Sequence, residues 1–475
     1  MRVLLIRATE RWRDLPIHPE NSVAPISLGI LAAMLERAGH HVSLLDTETG
    51  RYTRDEARAA VRAAGAELFV VQGITPDHQL MLELAGIARQ DPCCVGGLAV
   101  GQHPTTLPDE LLGADSPFDG CARGEFEETA FEALTRLAGG DTLDGIEGLV
   151  PRGESGSSAA LRLIDDPEAL PLPLHRLFSP EHYRMFHPLG VRRRIRWGFV
   201  LSARGCPFHC IYCSPTLRVT YGATLRFRSP GSVGEELAQL AARGINTVFF
   251  HDDTLTVSRP HIEGVCDEIR RRGLQRKIAW LGQTRADCLD RSLISTLARA
   301  GCRTLCFGVE AGDDETLSRL GKDETVEQME QAFRLCREAG LRTVGFFLLG
   351  CPGQSPEAME GSLRLCKKLR PDLLQVAFFT PYPGSPYWQG LPENERPGVA
   401  ALSHYNRPTD RERVSAAALS RLQRRFYKEY VLTPGFAWRF LWAKDPLGLL
   451  LNLDRELDFF WRAGRFLFAR RRDRG

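Results

Sequence analysis

The side chains with the clearest chemical meaning in this sequence are three cysteines that fall within eight positions. Cys206, Cys210 and Cys213 follow the spacing C-x3-C-x2-C. Thiolates are soft ligands that suit iron–sulfur clusters, and three of them on a four-iron cluster leave one iron open to another molecule. The alternatives are three unrelated thiols or a zinc site, for which His209 would be the fourth ligand at short spacing.

A strand and the alternating pattern after it are predicted to position this loop. The apolar run 197–201 leads into the first cysteine, so the thiols are expected just past a β-strand. Strand patterns then recur at 198–202, 247–251, 278–283, 303–309, 342–349 and 373–379. Helical patterns separate them, near 231–243, 258–272, 290–300, 324–339 and 355–369. This order predicts a partial (β/α)6 barrel, whose chemistry would lie at the carboxyl ends of its strands.

Polar residues at those strand ends are candidates for ligand binding. Asp252 and Asp253 would pair with an ammonium group or, alternatively, cap a helix. Arg285 would clamp a carboxylate or form a plain surface salt bridge. Glu310 follows a strongly apolar strand, where a carboxylate is costly without a partner, so we expect a ligand or an arginine beside it.

The cysteine spacing, with an aromatic residue directly before the last cysteine, resembles the radical S-adenosylmethionine (radical SAM) superfamily. The segments 251–254, 307–312, 345–353 and 380–387 are similar to segments of that family. The resemblance covers most of 198–388 and implies a 4Fe–4S cluster on the three cysteines, with SAM chelating the open iron. It also implies SAM contacts from Tyr212, Asp252, Asp253, Arg285, Glu310 and Gly350.

The first part of the chain shows a different alternation of strands and helices. Short apolar runs of strand length lie at Val3–Ile6, Val42–Leu45, Leu68–Val71 and Cys94–Gly96. Helical patterns lie between them, near 27–38, 53–64 and 78–90. This order predicts a doubly wound, Rossmann-like parallel sheet, which binds ligands beyond the carboxyl ends of its strands.

Glycines and polar residues at the predicted strand ends resemble the cobalamin-binding domain found ahead of many radical SAM barrels. The resemblance implies a corrinoid site formed by Gly73, Thr75, Gly96, Gly97, Gln102, His103, Gly124 and Glu125. The D-x-H-x-x-G motif, whose histidine ligates cobalt in many such domains, is absent, so a corrinoid would need another lower ligand or none. The alternative is a Rossmann-like domain that binds nothing. A histidine such as His103 is, taken alone, more often a surface loop residue.

The chain divides into four predicted regions. They are a cobalamin-binding-like domain, a linker, a radical SAM barrel and a helical C-terminal region, at 1–138, 139–196, 197–388 and 389–475. A basic run, 192–196, is read as a solvated face or as a receptor for an anionic substrate. A long helix is predicted at 411–430, and the aromatic, locally basic tail after Pro434 as a cap on the barrel or a peripheral membrane helix.

Composition sets limits on the class of protein. The chain carries 61 basic and 59 acidic residues, which argues against bulk nucleic-acid binding. The apolar run at Met1–Arg7 is too short for a signal peptide, and no run is long enough for a spanning helix. The 13 cysteines therefore read as reduced thiols in a cytoplasmic protein. Cys302 and Cys306 have strand spacing and are expected in the core, whereas Cys351 at a strand mouth could face the active site.

The leading interpretation is a cobalamin-dependent radical SAM methyltransferase that acts on an unactivated carbon of a small-molecule or lipid-like substrate. The resemblance implies an electron donor such as flavodoxin or ferredoxin. It leaves open a cobalamin-dependent cyclase or rearrangement enzyme that transfers no methyl group. A methylthiotransferase acting on tRNA is disfavoured, because Cys93, Cys94 and Cys121 do not form a second spread triad. A non-catalytic protein that binds a corrinoid or a cluster is the alternative from another class.

Overall fold

The first sheet is built as the sequence pattern predicts. The computed structural model describes residues 1–9, 22–49, 52–154, 156, 160–183, 185, 191–213, 218–399, 402, 414–443, 446–453 and 457. The six strands of this sheet are β1 (Arg2–Arg7), β2 (His41–Asp46), β3 (Leu68–Gln72), β4 (Gly96–Val100), β5 (Gly120–Ala122) and β6 (Leu149–Pro151). They lie in the order β2-β1-β3-β4-β5-β6. The order reverses between β1 and β3, where doubly wound sheets bind ligands.

Helices cover both faces of this sheet. They are α1 (Ile26–Arg37), α2 (Arg54–Ala63), α3 (His78–Arg89), α4 (Gln102–Thr106) and α5 (Phe126–Gly139). Alternate residues of a strand point to opposite faces, so Val3 and Leu5 pack with α1 and α5. Leu4 and Ile6 pack on the other face, with α2 and α3. The parallel, doubly wound prediction is confirmed.

The first domain extends further than predicted. Strand β6 pairs antiparallel with β5, although its residues fall inside the predicted linker 139–196. A three-residue edge strand that ends in proline carries too weak a periodicity to be recognised. The limit at residue 138 is therefore too early.

The second sheet forms the predicted partial barrel. Its strands are β7 (Trp197–Val200), β10 (Thr247–Phe250), β11 (Ala279–Thr284), β12 (Cys302–Glu310), β13 (Arg342–Leu349) and β14 (Leu373–Phe378). They are parallel, in the order β14-β13-β12-β11-β10-β7. A short antiparallel ribbon, β8 (Ala203–Arg204) with β9 (Arg226–Phe227), follows β7 and was not predicted.

The helices of the barrel lie close to their predicted positions. They are α6 (Arg218–Tyr221), α7 (Pro230–Ala242), α8 (Arg259–Arg271), α9 (Arg291–Arg299), α10 (Asp314–Arg319), α11 (Val326–Glu338), α12 (Pro356–Leu369) and α13 (Pro386–Gly390). The short helices α6, α10 and α13 were not predicted. Cys302 and Cys306 are buried core residues, as expected.

The two sheets share packing across the predicted linker. Ile26 and Ile30 of α1 lie in the same apolar core as Phe178, Tyr183 and Phe199. A Cβ on Gly29 would approach the ring of Phe178 to 2.6 Å, so this glycine allows the close contact. The basic run 192–196 precedes β7, at the opposite strand end from the cysteines, and Arg196 pairs with Glu181. Its reading as a substrate receptor near the cysteines is therefore wrong.

The C-terminal region begins as a helix on the barrel. Of the predicted helix 411–430, residues 411–413 lie outside the described residues. Helix α14 (Ala416–Phe426) begins where the Ser415 side chain accepts a hydrogen bond from the backbone N–H of Ala418. Helices α15 (Pro434–Ala443) and α16 (Pro446–Leu451) follow, and much of the predicted aromatic tail lies outside the described residues. Within the described part, no helix has the length and apolar character needed to cross a membrane.

Candidate functional site

The start of the loop with the three cysteines is fixed by backbone geometry. The ribbon β8–β9 holds the residues before Cys206, whose backbone N–H donates to the carbonyl of Gly222. Gly205 has φ +92°, and a Cβ there would lie 2.1 Å from the carbonyl oxygen of Thr224. Only glycine fits this turn, so the residue before the first cysteine has a steric reason to be glycine.

A buried carboxylate holds the start of the loop. Asp252, at the end of β10, accepts hydrogen bonds from the backbone N–H of Ser202 at 3.2 Å and from its hydroxyl at 2.6 Å. Asp252 is 2% exposed, and burial raises its pKa to about 6. Both oxygens of Asp252 thus hold the loop, and its predicted contact with SAM stays a prediction. Asp253 beside it is half-buried and keeps its place as a candidate.

The three thiols lie close enough to influence one another. Cys206 is buried, and Cys210 and Cys213 are partly buried. Burial raises the pKa of all three thiols, that of Cys213 to about 12, while Lys322 and Arg285 favour the thiolate of Cys210. Among the described residues, no group of three His, Cys, Asp or Glu side chains is arranged to hold a single metal ion. A four-iron cluster differs from a single ion, because each thiolate binds its own iron.

Arg285, directly after β11, contacts the cysteine loop. Its guanidinium forms two hydrogen bonds with Asp287, at 3.0 and 2.7 Å, and lies 3.7 Å from the ring centroid of Phe208. Phe208 is in the cysteine loop, so this cation–π contact fixes the loop. Arg285 is 6% exposed and is therefore not the surface salt bridge that the sequence left open. Asp287 occupies Nε and Nη2, whereas Nη1 lies 3.8 Å from Glu324, so the contact of Arg285 with a SAM carboxylate stays a prediction.

Glu310 lies in a strained, buried position with a cation beside it. Its φ is +62°, a left-handed conformation that is rare for glutamate, and the register between β12 and β13 shifts there. Burial raises the pKa of Glu310, whereas Lys322 and a hydrogen bond from Tyr212 lower it. Lys322 in turn pairs with Glu324 at 2.8 Å, and both are nearly inaccessible. The expected partner of Glu310 is thus a lysine, which sequence reasoning missed.

The fifth strand of the barrel contributes a backbone turn. Gly350 follows β13 with φ +73°. Cys351, next to it, is 4% exposed and belongs to a small apolar cluster with Ile211 and Tyr212 of the cysteine loop. Cys351 therefore packs behind the loop.

A second candidate site lies at the carboxyl ends of β3 and β4. The backbone N–H of Gly73 donates to Val100, and the N–H of His103 donates to the carbonyl of Gly73. Gly101 has φ +101°, and a Cβ there would lie 2.9 Å from that same carbonyl oxygen. The two strand ends therefore cross closely, and they bring Gly73, Thr75, Gln102 and His103 together as the sequence predicts.

Several buried polar atoms at this crossing lack partners. His103 is inaccessible, and in the described part of the chain neither of its ring nitrogens makes a hydrogen bond. The same holds for Gln72 Oε1 and Thr75 Oγ1. Burial and the neighbouring His78, whose ring centroid is 5.4 Å away, lower the pKa of His103 to about 3, so its ring is neutral. The reading of His103 as a surface residue is wrong, and sequence reasoning missed His78.

Gly96 and Gly97 lie at the other end of the sheet. They open β4, whereas the sequence analysis placed them after it. The apolar pattern had set the strand at Cys94–Gly96, a shift that moves the glycines from one edge to the other. A Cβ on Gly97 would lie 2.1 Å from the ring of Phe69, so this glycine accommodates packing. Their prediction as cobalamin-binding residues rests on a wrong strand position.

Gly124 packs on the linker, and Glu125 pairs with the barrel. A Cβ on Gly124, which has φ +80°, would lie 2.4 Å from the carbonyl oxygen of Arg162 in the linker. The carboxylate of Glu125 accepts two hydrogen bonds from Arg226, at 2.6 and 3.1 Å, and lies 3.4 Å from Arg204. Glu125 therefore joins the two domains, and the predicted contact of both residues with a corrinoid is not supported by this geometry.

Each edge has the donor set of a recognisable class of cofactor. Three thiols in a loop beyond a barrel strand fit a cluster with one open iron, and the neutral, unsatisfied polar atoms at β3 and β4 fit a ligand rich in amide groups. Comparison with known proteins agrees. The profile of the Radical SAM superfamily matches residues 200–366, and that of the B12 binding domain matches residues 13–134.

Two relatives and one solved structure show how far the likeness extends. An uncharacterized methyltransferase of Pyrococcus horikoshii is 28% identical over 77% of this chain and 78% of its own length. The anaerobic magnesium-protoporphyrin IX monomethyl ester cyclase of Cereibacter sphaeroides is 26% identical over 87% of this chain and 68% of its own. The radical SAM methyltransferase TsrM of Kitasatospora setae, solved with cobalamin and a 4Fe–4S cluster, has a TM-score of 0.64 at 23% identity over 81% of this chain and 73% of its own.

The barrel and its cysteine loop define a radical SAM enzyme. The chain carries a B12 binding domain, matched at residues 13–134, ahead of the radical SAM domain, matched at residues 200–366. Its cofactors are a 4Fe–4S cluster, SAM and cobalamin.

Proposed function

We propose that the protein is a cobalamin-dependent radical SAM methyltransferase. The observation that carries this proposal is that the carboxyl ends of the two sheets are joined by buried ion pairs. Strand β5 of the first sheet leads into Glu125 and Glu127, and β7 of the barrel leads into Arg204. The guanidinium of Arg204 donates to Glu127 Oε1 at 2.7 Å and lies 3.4 Å from Glu125 Oε1. The carboxyl ends of both sheets therefore face each other, where a cluster on one could act with a corrinoid on the other.

The residues of the barrel have separate duties in this proposal. When bound, the cluster supplies the electron that cleaves SAM, and cobalamin supplies a carrier for the methyl group. Cys206, Cys210 and Cys213 hold the irons. Asp252 and Arg285 fix the loop through Ser202 and Phe208, as their contacts require.

Besides Asp252 and Arg285, which fix the loop, the candidates for SAM binding are Asp253, Glu310, Tyr212 and Gly350, with Lys322 added beside Glu310. Glu310 is held in a strained conformation by β12 and β13, a feature typical of ligand-binding positions. For the corrinoid we retain Gly73, Thr75, Gln102 and His103, because their strand ends cross beside the unsatisfied polar atoms.

A cyclase or rearrangement enzyme is the second candidate. The magnesium-protoporphyrin cyclase, at 26% identity, is nearly as similar to this chain as the methyltransferase relative, at 28%. This similarity supports the second candidate. The two reactions differ in the fate of the SAM methyl group, and this difference separates them by experiment.

The experiment follows that methyl group. Anaerobic holoenzyme reconstituted with cobalamin is incubated with dithionite and SAM deuterated in its methyl group. We expect 5′-deoxyadenosine, S-adenosylhomocysteine and a deuterated methyl group on the extracted corrinoid. 5′-Deoxyadenosine without S-adenosylhomocysteine would favour the cyclase. The absence of both products would favour a non-catalytic binding protein.

We propose a small-molecule substrate and an electron donor of the flavodoxin or ferredoxin type, in the cytoplasm. A lipid-like substrate and contact with a membrane surface are finer proposals. Trp438, Leu447, Leu450 and Leu457 of the tail expose between 51% and 67% of their surface, which is the feature that supports them. Binding of the purified protein to anionic vesicles tests this contact, and co-sedimentation no greater than with neutral vesicles would contradict it.

A further inference from the structure

The residue two positions before the first cysteine is bound to the other domain. The guanidinium of Arg204 donates to Glu127 Oε1 at 2.7 Å and lies 3.4 Å from Glu125 Oε1. Glu125 and Glu127 stand at the start of α5, directly after the last parallel strand of the B12 binding domain. Arg204 thus connects the cysteine loop with that domain through side chains alone.

A second arginine strengthens the same junction. Arg204 and Arg226 are paired across the β8–β9 ribbon, and both reach Glu125. Arg226 also donates to the carbonyl oxygens of Ile164 and Tyr221. The guanidinium of Arg204 also lies 5.6 Å from the ring centroid of Tyr221, on the barrel side of the junction.

The junction is dry and its charges balance. Two arginines face two glutamates, and the side chains of Arg204, Glu125 and Glu127 are 3%, 0% and 1% exposed. Water cannot replace a partner that is removed from such a pair, so each charge depends on the geometry of the others. A buried ion pair of this kind is weak evidence for stability, but a conformation that moved the loop relative to α5 would leave charges unpaired.

The loop is held at two neighbouring points by two different domains. Asp252 of the barrel binds Ser202, and Glu127 of the B12 binding domain binds Arg204. Gly205 and Cys206 follow directly, with a turn that has no room for a Cβ. Displacement of α5 would therefore be transmitted to Cys206 over a very short, rigid length of backbone.

We propose that Arg204 is a positioning residue, which holds the cluster loop in a fixed place relative to the corrinoid domain through Glu127 and Glu125. This inference rests on the proposed function. In this proposal the junction sets the distance between the two cofactors. That distance in turn couples SAM cleavage to methyl transfer. Binding of either cofactor does not depend on it.

Pulsed EPR on the holoenzyme tests the separation directly. The reduced cluster and the Co(II) form of bound cobalamin are both paramagnetic, so the distance between them can be measured. We expect one narrow distance distribution in the wild type, and a broadened or shifted one in Glu127→Gln and Arg204→Gln. Iron and cobalt contents should equal those of the wild type in Glu127→Gln, which lies away from the cysteines and keeps the shape of the side chain.

A matched control comes from the barrel. Glu236 is also inaccessible and pairs with Arg228 and His175. Glu236→Gln therefore removes a buried carboxylate of the same kind without crossing this junction. It should leave the distance distribution unchanged even if it lowers the melting temperature. Identical distributions in Glu127→Gln and wild type, or equal broadening in Glu236→Gln, would overturn the proposal.

Product ratios give the second readout. In Glu127→Gln the ratio of S-adenosylhomocysteine to 5′-deoxyadenosine should fall about tenfold, because a misplacement of about 1 Å can cost up to ~100-fold in rate. An unchanged ratio would contradict the coupling. If the wild type itself formed no S-adenosylhomocysteine, the proposed methyl transfer would fail, while the distance measurement would still decide the positioning role.

Discussion

The two strand edges that face each other satisfy their polar groups in opposite ways. At the barrel edge, charges pair with one another, as in Lys322 with Glu324 at 2.8 Å and Arg285 with Asp287 at 2.7 Å. At the ends of β3 and β4, the buried carboxyl group of Asp77 stands among uncharged groups. Of these, Gln72 Oε1, Thr75 Oγ1 and both ring nitrogens of His103 have no hydrogen bond in the described residues.

The difference follows from the cost of burial. A buried charge without a partner is far more expensive than a neutral donor or acceptor without one. The charged groups of a site must therefore be paired with one another before a ligand binds. Neutral polar groups can stay without hydrogen bonds at a lower cost until a ligand supplies them. The barrel edge is prepared by its own ion pairs, and the edge at β3 and β4 should gain more from its ligand.

The largest effect on this comparison is expected from the cysteines. Substituting alanine for Cys206, Cys210 or Cys213 should remove iron and reduce SAM cleavage to background, while cobalamin binding persists. Iron analysis and quantification of 5′-deoxyadenosine measure this outcome. Cys288→Ala, which removes a partly buried thiol outside the motif, is the control and should keep its iron. A cysteine variant with wild-type iron would disprove the assignment.

The next effect concerns the pre-paired charges of the barrel edge. Lys322→Met removes the cation beside Glu310 and leaves Glu324 with Arg285 alone, 3.8 Å away, so it should lower the free energy of unfolding by about 3–5 kcal/mol. Urea denaturation of the purified protein measures the loss. Lys368→Met breaks an ion pair with Glu330 on the surface, where the lysine side chain is 66% exposed, and should change the unfolding midpoint little. Similar losses in both variants would mean that the barrel edge is not pre-paired.

The smallest effect concerns the unsatisfied edge. His103→Leu removes two buried nitrogens without partners, so the protein without cobalamin should be unchanged or more stable, by up to about 1–3 kcal/mol. The rise in melting temperature on adding hydroxocobalamin should shrink, since binding to the folded state is what raises it. His41→Leu, which replaces an exposed histidine of the same domain, should keep the full rise. The full rise in His103→Leu as well would remove His103 from the site.

The fold and the cluster loop could be predicted because they follow from patterns that are local in the sequence. Contacts between residues far apart in the sequence could not be predicted. Cys206, Cys210 and Cys213 lie within eight residues of the sequence, so their spacing alone was enough to predict a cluster site. The need of Glu310 for a partner followed from its apolar strand, but Lys322 comes from a different loop. Glu125 resembled a ligand contact because its partners Arg226 and Arg204 lie in the other domain.

Strand boundaries account for another error. Gly96 and Gly97 were assigned to the wrong edge, because the strand begins where the apolar pattern had placed its end. A shift of a few residues along a strand is enough to exchange the two edges of a sheet. The burial of His103 was equally invisible, since it depends on how closely β3 and β4 cross.

Metal analysis of the anaerobically purified and reconstituted protein tests the central claim most directly, namely that one chain holds both cofactors at facing edges. We expect roughly four iron atoms and about one cobalt atom per chain, with a corrinoid spectrum beside the broad absorption of the cluster. Iron without cobalt after incubation with hydroxocobalamin would contradict the account, because the unsatisfied edge at β3 and β4 would then have another ligand.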